Sequence, residues 1–219
     1  MNRPLIPLLL ASARLAAAPF AATAQAQAAQ PPASTQAETP SKLVLDNSQR
    51  LLSTLESRRA EFTADRGKLQ AFVASEFDRM FDRDYSARQV LGRHGRGASD
   101  ADVKLFADAL ADSLMRRYGS SLLDFNTQLR VRVKSETPLP RGLGVRVSSE
   151  MLRSGGEPIP VDYLMRQTAD GWRVFDVMVE GVSFVQTFRQ QFDTPLSRKS
   201  IREVAADLGA GRIQADAGN

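Results

Sequence analysis

Apolar residues recur at helical spacing through the first half of this chain and at every second position through much of the second half. Leu43, Val44, Leu51 and Leu55, with Asn47 among them, predict a helix over 41–58. Leu69, Phe72, Val73, Phe77 and Met80 predict a second, and 81–91 a short third helix or turn ended by Gly92. Ser99, followed three residues on by Asp102 in a weak variant of the capping box, opens the clearest helix. Val103, Phe106, Leu110, Leu114 and Tyr118 share one face of it, and Gly119 stops it. A further short helix is expected over 121–126.

The period then drops to two. Leu129, Val131 and Val133 alternate with Arg130, Arg132 and Lys134, a half-buried strand. Val145, Val147 and Ser149 alternate with Arg146, Ser148 and Glu150 in the next. Third and fourth strands are expected over 159–168 and 172–180, joined by a three-residue loop, Ala169-Asp170-Gly171. Thr168 then faces Trp172, which sets Val161, Tyr163 and Met165 on one face with Phe175, Val177 and Val179. The other face carries Asp162, Arg166 and Asp176 as an ion-pair cluster. A two-residue loop would slip the register and mix polar with apolar residues on both faces. Phe184, Val185, Phe188 and Phe192 predict a helix, Pro195 a break, and Ile201, Val204 and Leu208 a last short helix. Helices first and an antiparallel meander afterwards give an α+β class: a curved four-stranded antiparallel sheet with helices packed on one face.

Charge and composition add little to this. The 219 residues are 42% hydrophobic and 25% charged, ordinary for a globular chain. The amino terminus reads as an export signal over 1–26: Arg3, an apolar run from Leu5 to Ala13, then Ala24-Gln25-Ala26 for cleavage. A cut after Ala24 fits as well. The 29 basic residues less Arg3 and Arg14 leave 27 against 25 acidic ones, a mild excess despite a pI near 9.7. Residues 27–40, rich in Ala, Gln, Pro, Ser and Thr, are expected as a disordered linker, 41–208 as one domain and 209–219 as a flexible tail. With no cysteine, disulfides, thiol nucleophiles and thiolate metal sites are excluded.

Catalytic patterns are scarce. His94 is the only histidine, placed between arginine and glycine in an expected solvent-exposed loop, and no Gly-x-Ser-x-Gly accompanies it. No spacing suggests a metal or a cofactor. Asp162, Asp176 and Glu180 suit a structural ion-pair reading better than a glycosidase-like acid pair. Gly92 to Gly97 lacks a preceding strand; it is either a basic loop without a ligand or a contact for an anionic phosphate. Gly142-Leu143-Gly144 marks a turn. Arg130, Arg132 and Lys134 form a basic stripe without interleaved aromatics, so nucleic acid is not expected. Periodicity alone does not separate a packed apolar interior from a hollow one, and by itself reads as core.

A resemblance decides between these. Phe81-Asp82-Arg83-Asp84-Tyr85-Ser86-Ala87-Arg88-Gln89-Val90-Leu91-Gly92, Val161-Asp162-Tyr163, Asp170-Gly171-Trp172-Arg173-Val174-Phe175-Asp176-Val177 and Val179-Glu180-Gly181-Val182-Ser183 stand in order along the chain. Over about 45–192 the sequence resembles the MlaC family of periplasmic phospholipid carriers, also known as toluene-tolerance proteins. The resemblance implies an apolar cavity between sheet and helices that accepts acyl chains, and no enzymatic activity. Its expected lining from the 99–118 helix is Phe106, Leu110, Leu114 and Tyr118, opposing the sheet. From the strands it is Val147, Met151, Val161 and Tyr163, with Met165, Phe175, Val177 and Val179; Met178 adds to Met151 and Met165 a soft, adaptable component. The implied partners are phospholipid, an outer-membrane lipoprotein–porin complex and an inner-membrane complex of MCE-domain and ABC-transporter subunits, served by a monomer. The Glu180–Ser183 turn reads as structural, glycine for the bend and serine for the next helix cap. The alternatives are a binder or enzyme for another small hydrophobic molecule, and a scaffold with a filled core.

Overall fold

The computed structural model describes residues 39–123 and 129–216. They belong to one of the two units into which the chain divides, Ala37–Asn219; the other, Met1–Gln36, lies outside the described residues. The expected signal segment and all of the linker but Thr39 and Pro40 are therefore outside them as well. Those two residues are helical in role: the Thr39 hydroxyl accepts from the Lys42 amide, and Pro40 opens α1 (Pro40–Ser57).

The remaining helices are α2 (Arg59–Ala64), α3 (Arg66–Met80), α4 (Arg83–Leu91), α5 (Asp100–Tyr118), α6 (Phe184–Arg198) and α7 (Ile201–Gly209). Five of the six start on a side-chain cap that accepts an amide of the first turn, which satisfies one otherwise orphaned donor. Asp65, Asp82, Ser99 and Ser183 cap α3, α4, α5 and α6, and Ser200 with Glu203 forms a capping box on α7. Pro195 does not break the chain as expected. It sits inside α6, where Phe188, Phe192 and Leu196 hold one buried face across it. A short 3-10 turn, Ser120–Leu123, stands where a helix over 121–126 is expected; the rest of that range lies outside the described residues.

The sheet runs β1 (Arg130–Pro138), β2 (Val145–Leu152), β3 (Ile159–Thr168), β4 (Gly171–Val179), β5 (Val182–Ser183), in that spatial order, antiparallel and unclosed. The expectation of four strands thus misses β5, whose two residues pair with Met178 and Val179. The β1–β2 connection requires Gly144: its φ is +135°, and a Cβ there would lie 1.8 Å from the Met165 carbonyl oxygen.

The β3–β4 hairpin combines both registers weighed above. Its loop has two residues, with Thr168 opposite Gly171 and Met165 opposite Val174. A β-bulge then leaves Phe175 unpaired, and beyond it Leu164 faces Asp176, Tyr163 faces Val177 and Val161 faces Val179, as in the three-residue reading. Met165, Tyr163, Val177 and Val174 consequently share one apolar face with Val145 and Val147. The ion-pair cluster does not form. Arg166 pairs with Asp82, and Asp176 accepts from the Ser183 hydroxyl at 2.6 Å and the Val185 amide at 3.0 Å.

Three apolar clusters divide the interior. One joins Leu55, Phe62, Leu69 and Leu123 under α1 to α3. A second lies among α4 to α7, with Phe106 set edge-on to Phe192 at 5.4 Å. The third is the apolar sheet face, covered by Val44 of α1 and Met80 of α3. Residues 210–216, expected as part of a flexible tail, instead lie against α5. Ala215 is buried and its amide donates to the Ser113 hydroxyl, while Asp216 takes Arg117 and the Tyr118 hydroxyl.

Candidate functional site

An open groove of about 590 Å³ runs between α3 and α5. Its walls carry mostly small or flexible apolar residues: Ala71, Ala74 and Phe77 on α3, Ala111, Leu114 and Met115 on α5. Asp78, Arg83, Asp112 and Arg116 stand along it. A second groove of about 360 Å³ separates α1 from β1 and includes Leu52, Leu55, Leu129, Val131 and Arg130. Both volumes fall in the range of roughly 300–1,000 Å³ typical of ligand pockets. The grooves flank the α1–α3 lobe on two sides, while Val44 of α1 and Met80 of α3 pack it onto the sheet.

From the larger groove an apolar path leads to the sheet. Phe77, 36% exposed, stacks on Phe81 at 3.8 Å between ring centroids. Phe81 packs into the sheet cluster and bridges to Val174. This junction of α3 and α4 is pinned to β3 and β4 in three ways. The Asp82 amide donates to the Val174 carbonyl at 2.8 Å, Arg166 pairs with the Asp82 carboxylate, and Arg173 donates to the carbonyls of Asp78 and Arg79 at the end of α3. The Arg166 guanidinium also lies 4.4 Å over the Tyr85 ring, which meets Phe175 edge-on at 5.3 Å. Through Asp176, β4 holds the first turn of α6; burial pushes that carboxyl above its ordinary range, and the Ser183 hydroxyl opposes the shift.

The predicted lining residues separate. Phe106 and Leu110 are buried among α4, α6 and α7, in a cluster without a strand residue, so they do not oppose the sheet. Leu114 lines the α3–α5 groove, and the Tyr118 hydroxyl is bound to Asp216. Val147 and Met165 have no exposed surface and Val161 is 5% exposed, so all three are buried. Met151, Tyr163, Phe175, Val177 and Val179 are half-buried. Burial pushes the Tyr163 phenol upward, with a hydrogen bond to Ser48 of α1 opposing it. The expected apolar cavity is not shown: α1 lies where it is expected, with Val44 and Met80 against the sheet.

His94 is not a free loop residue. It sits in a 3-10 turn, Gly92–Gly95, its side chain 18% exposed and its Nε2 2.9 Å from Asp193 of α6, which Arg93 also binds at 2.8 Å. The basic stripe on β1 is partly neutralised, since Glu150 binds both Arg132 and Lys134 at 2.6 Å. Among the described residues no group of three His, Cys, Asp or Glu is placed to hold a metal, and no helix is long and apolar enough to cross a membrane. Sequence reasoning missed Ala71, Ala74, Ala111 and Met115. The available signal was the lack of bulk at Gly67, Ala71 and Ala74, successive positions of one helical face.

The described residues thus form an unclosed antiparallel sheet and two helical lobes, with a groove of mixed apolar and charged lining between α3 and α5. The sequence profile of the family described as MlaC protein matches residues 45–210, and the chain belongs to that family. The toluene tolerance protein ttg2D of Pseudomonas putida is 24% identical over 189 residues, covering 82% of this chain and 86% of the relative. The phospholipid-binding protein of Ralstonia solanacearum, solved in complex with a phospholipid, superposes with a TM-score of 0.68 at 20% identity. That match covers 78% of this chain and 97% of the other and shows a shared fold.

Proposed function

We propose that this protein is a phospholipid carrier of the periplasm, without enzymatic activity, that moves lipid between an outer-membrane lipoprotein–porin complex and an inner-membrane MCE-domain/ABC-transporter complex. The observation that carries the reading is the apolar path from the α3–α5 groove past Phe77 and Phe81 to the sheet cluster. Family membership, the relative that holds a phospholipid and the export signal expected over 1–26 support it.

The physical task is desolvation. Each methylene in water costs about 0.8 kcal/mol, so one long acyl chain costs on the order of 10 kcal/mol. Acyl chains enter at Phe77, Leu114 and Met115 and continue onto the sheet face as the α1–α3 lobe lifts, exposing Tyr163, Met165, Val177 and Val147. Met151, Val161, Phe175 and Val179 border that face. Phe106, Leu110 and Tyr118 support the α5 wall from behind. The headgroup stays at the charged groove mouth in water. ATP hydrolysis, where it drives the cycle, belongs to the inner-membrane partner.

Organic extraction of the purified protein followed by mass spectrometry tests this. Co-purified phospholipid near one per chain is expected. A different stoichiometric hydrophobic molecule would move the reading to another ligand, and an empty extract together with no uptake from phosphatidylethanolamine vesicles would end it.

A further inference from the structure

We infer that Arg83 is a positioning residue for lipid exchange: it latches the two walls of the groove and sets how fast, rather than how tightly, lipid is taken up and released. This rests on the carrier reading above. Arg83 is the first residue of α4 and reaches both walls. Its Nη1 lies 2.7 Å from Asp78 Oδ1 at the end of α3, and its Nη2 lies 3.0 Å from Asp108 Oδ1 on α5. Lys104 holds the other oxygen of Asp108 at 2.7 Å. Among the described residues no direct hydrogen bond or ion pair joins α3 to α5, so the polar link between these helices passes through one guanidinium.

Apolar packing does not duplicate that link. The buried residues of α3 belong to the Leu55–Phe62–Leu69 cluster or to the sheet cluster, and those of α5 to the α4–α7 cluster. Between the walls lies the groove instead of a shared core. Arg83 also stands one residue past Asp82, which β4 fixes through the Val174 carbonyl and β3 through Arg166. The latch is therefore anchored on a junction that the sheet holds in place. Its side chain is 26% exposed and its Nε is buried without a hydrogen-bond partner, so the grip depends on the two carboxylate contacts alone. Two partly exposed pairs suit a latch that opens readily: such contacts hold a conformation by a few-fold to about tenfold in population.

A latch outside the apolar contacts leaves the lipid's own interactions intact. Opening it raises uptake and release by the same factor. A headgroup ligand, by contrast, slows release and tightens binding, and a merely structural residue lowers stability.

The test uses Arg83→Gln and, separately, Asp108→Asn. The probe is a phosphatidylethanolamine bearing a nitrobenzoxadiazole fluorophore, exchanged by stopped flow. Hydrogen–deuterium exchange of residues 66–80 in lipid-free protein serves as a second readout. Uptake and release both about two- to tenfold faster, Kd within about twofold of wild type, and faster exchange over 66–80 are expected. A weakened Kd at unchanged uptake rate would assign Arg83 to the headgroup and overturn the latch. Unchanged exchange over 66–80, or a fall in Tm that accounts for the rates, would overturn it as well. Should the wild type take up no probe, the carrier reading fails and the latch stands or falls on the exchange over 66–80.

Discussion

Ala74→Trp asks directly whether the α3–α5 groove shelters acyl chains. Ala74 lines the groove, and an indole projecting from it enters a space of about 590 Å³ without displacing buried core. An aromatic side chain of this size covers roughly 150–250 Å². Were acyl methylenes to lose that much apolar contact, about 4–6 kcal/mol of shelter would go, at about 25 cal/mol per Å². The indole itself touches whatever tail remains and returns around half. A net loss of about 2–3 kcal/mol corresponds to lipid binding weakened roughly 30- to 150-fold. The fold is expected to hold its Tm or gain slightly, because the added ring fills open space. Native mass spectrometry gives occupancy, displacement of a fluorescent phospholipid gives Kd, and a thermal melt gives stability. Leu105→Trp, on a residue that is 44% exposed outside the groove, controls for the added aromatic and should bind as wild type. An Ala74→Trp protein of unaltered Tm that binds lipid within twofold of wild type would refute the assignment of the groove.

Further predictions concern the frame. Gly144→Ala, whose new Cβ would meet the Met165 carbonyl, should cost about 4 kcal/mol and lower Tm by roughly 8–16 °C in a circular-dichroism melt; an unchanged Tm would contradict the packing of the β1–β2 turn. Asp176, pushed upward by burial, binds its proton more tightly in the fold than in the unfolded chain, so its contribution to stability falls as pH rises from its ordinary value of 3.8 through the folded value. A carboxyl titration by NMR that placed it at or below 3.8 would show the site to be solvated. Glu61 behaves oppositely: its hydrogen bonds to Arg58 and then Lys68 hold it at about 2, so its small contribution is complete above pH 4.5 and lost between there and about 2. His94→Gln should leave lipid occupancy unchanged and lower stability by no more than about 1 kcal/mol, since its pairing with Asp193 ties a surface turn to α6; a large loss of transfer would give the histidine a role in exchange.

The helices were legible because their signals are local. Ser99, Gly92, Gly119 and Ser183 each mark a boundary through a short-range backbone requirement, and each stands where it was expected. The strands of 145–152, 159–168 and 171–179, the last expected over 172–180, were legible for the same reason, as was the apolar sheet face apart from Phe175. Three other features depend on residues distant in sequence. A bulge at Phe175 has no marker of its own, since the unpaired residue is an ordinary strand former. β5 is too short for any periodicity. The expected opposition of Phe106 and Leu110 to the sheet failed because an amphipathic face does not name its partner: α5 buries those residues against α6 and α7 instead. The groove was illegible for the complementary reason, since alanines on a helix read as neutral until a second wall stands opposite them.

The bulge at Phe175 ties two distant points of one hairpin into a single inherited unit. The tight turn at Ala169–Asp170 subtracts a residue from the strand count, and the unpaired phenylalanine restores it before Tyr163 and Val177 are reached. A homologue that gains a residue in the turn has to lose one near Phe175, or every side chain beyond it swaps sides. Length changes at the two places should therefore occur as matched pairs, and a hairpin graft that carries one without the other will present its polar side chains to the interior.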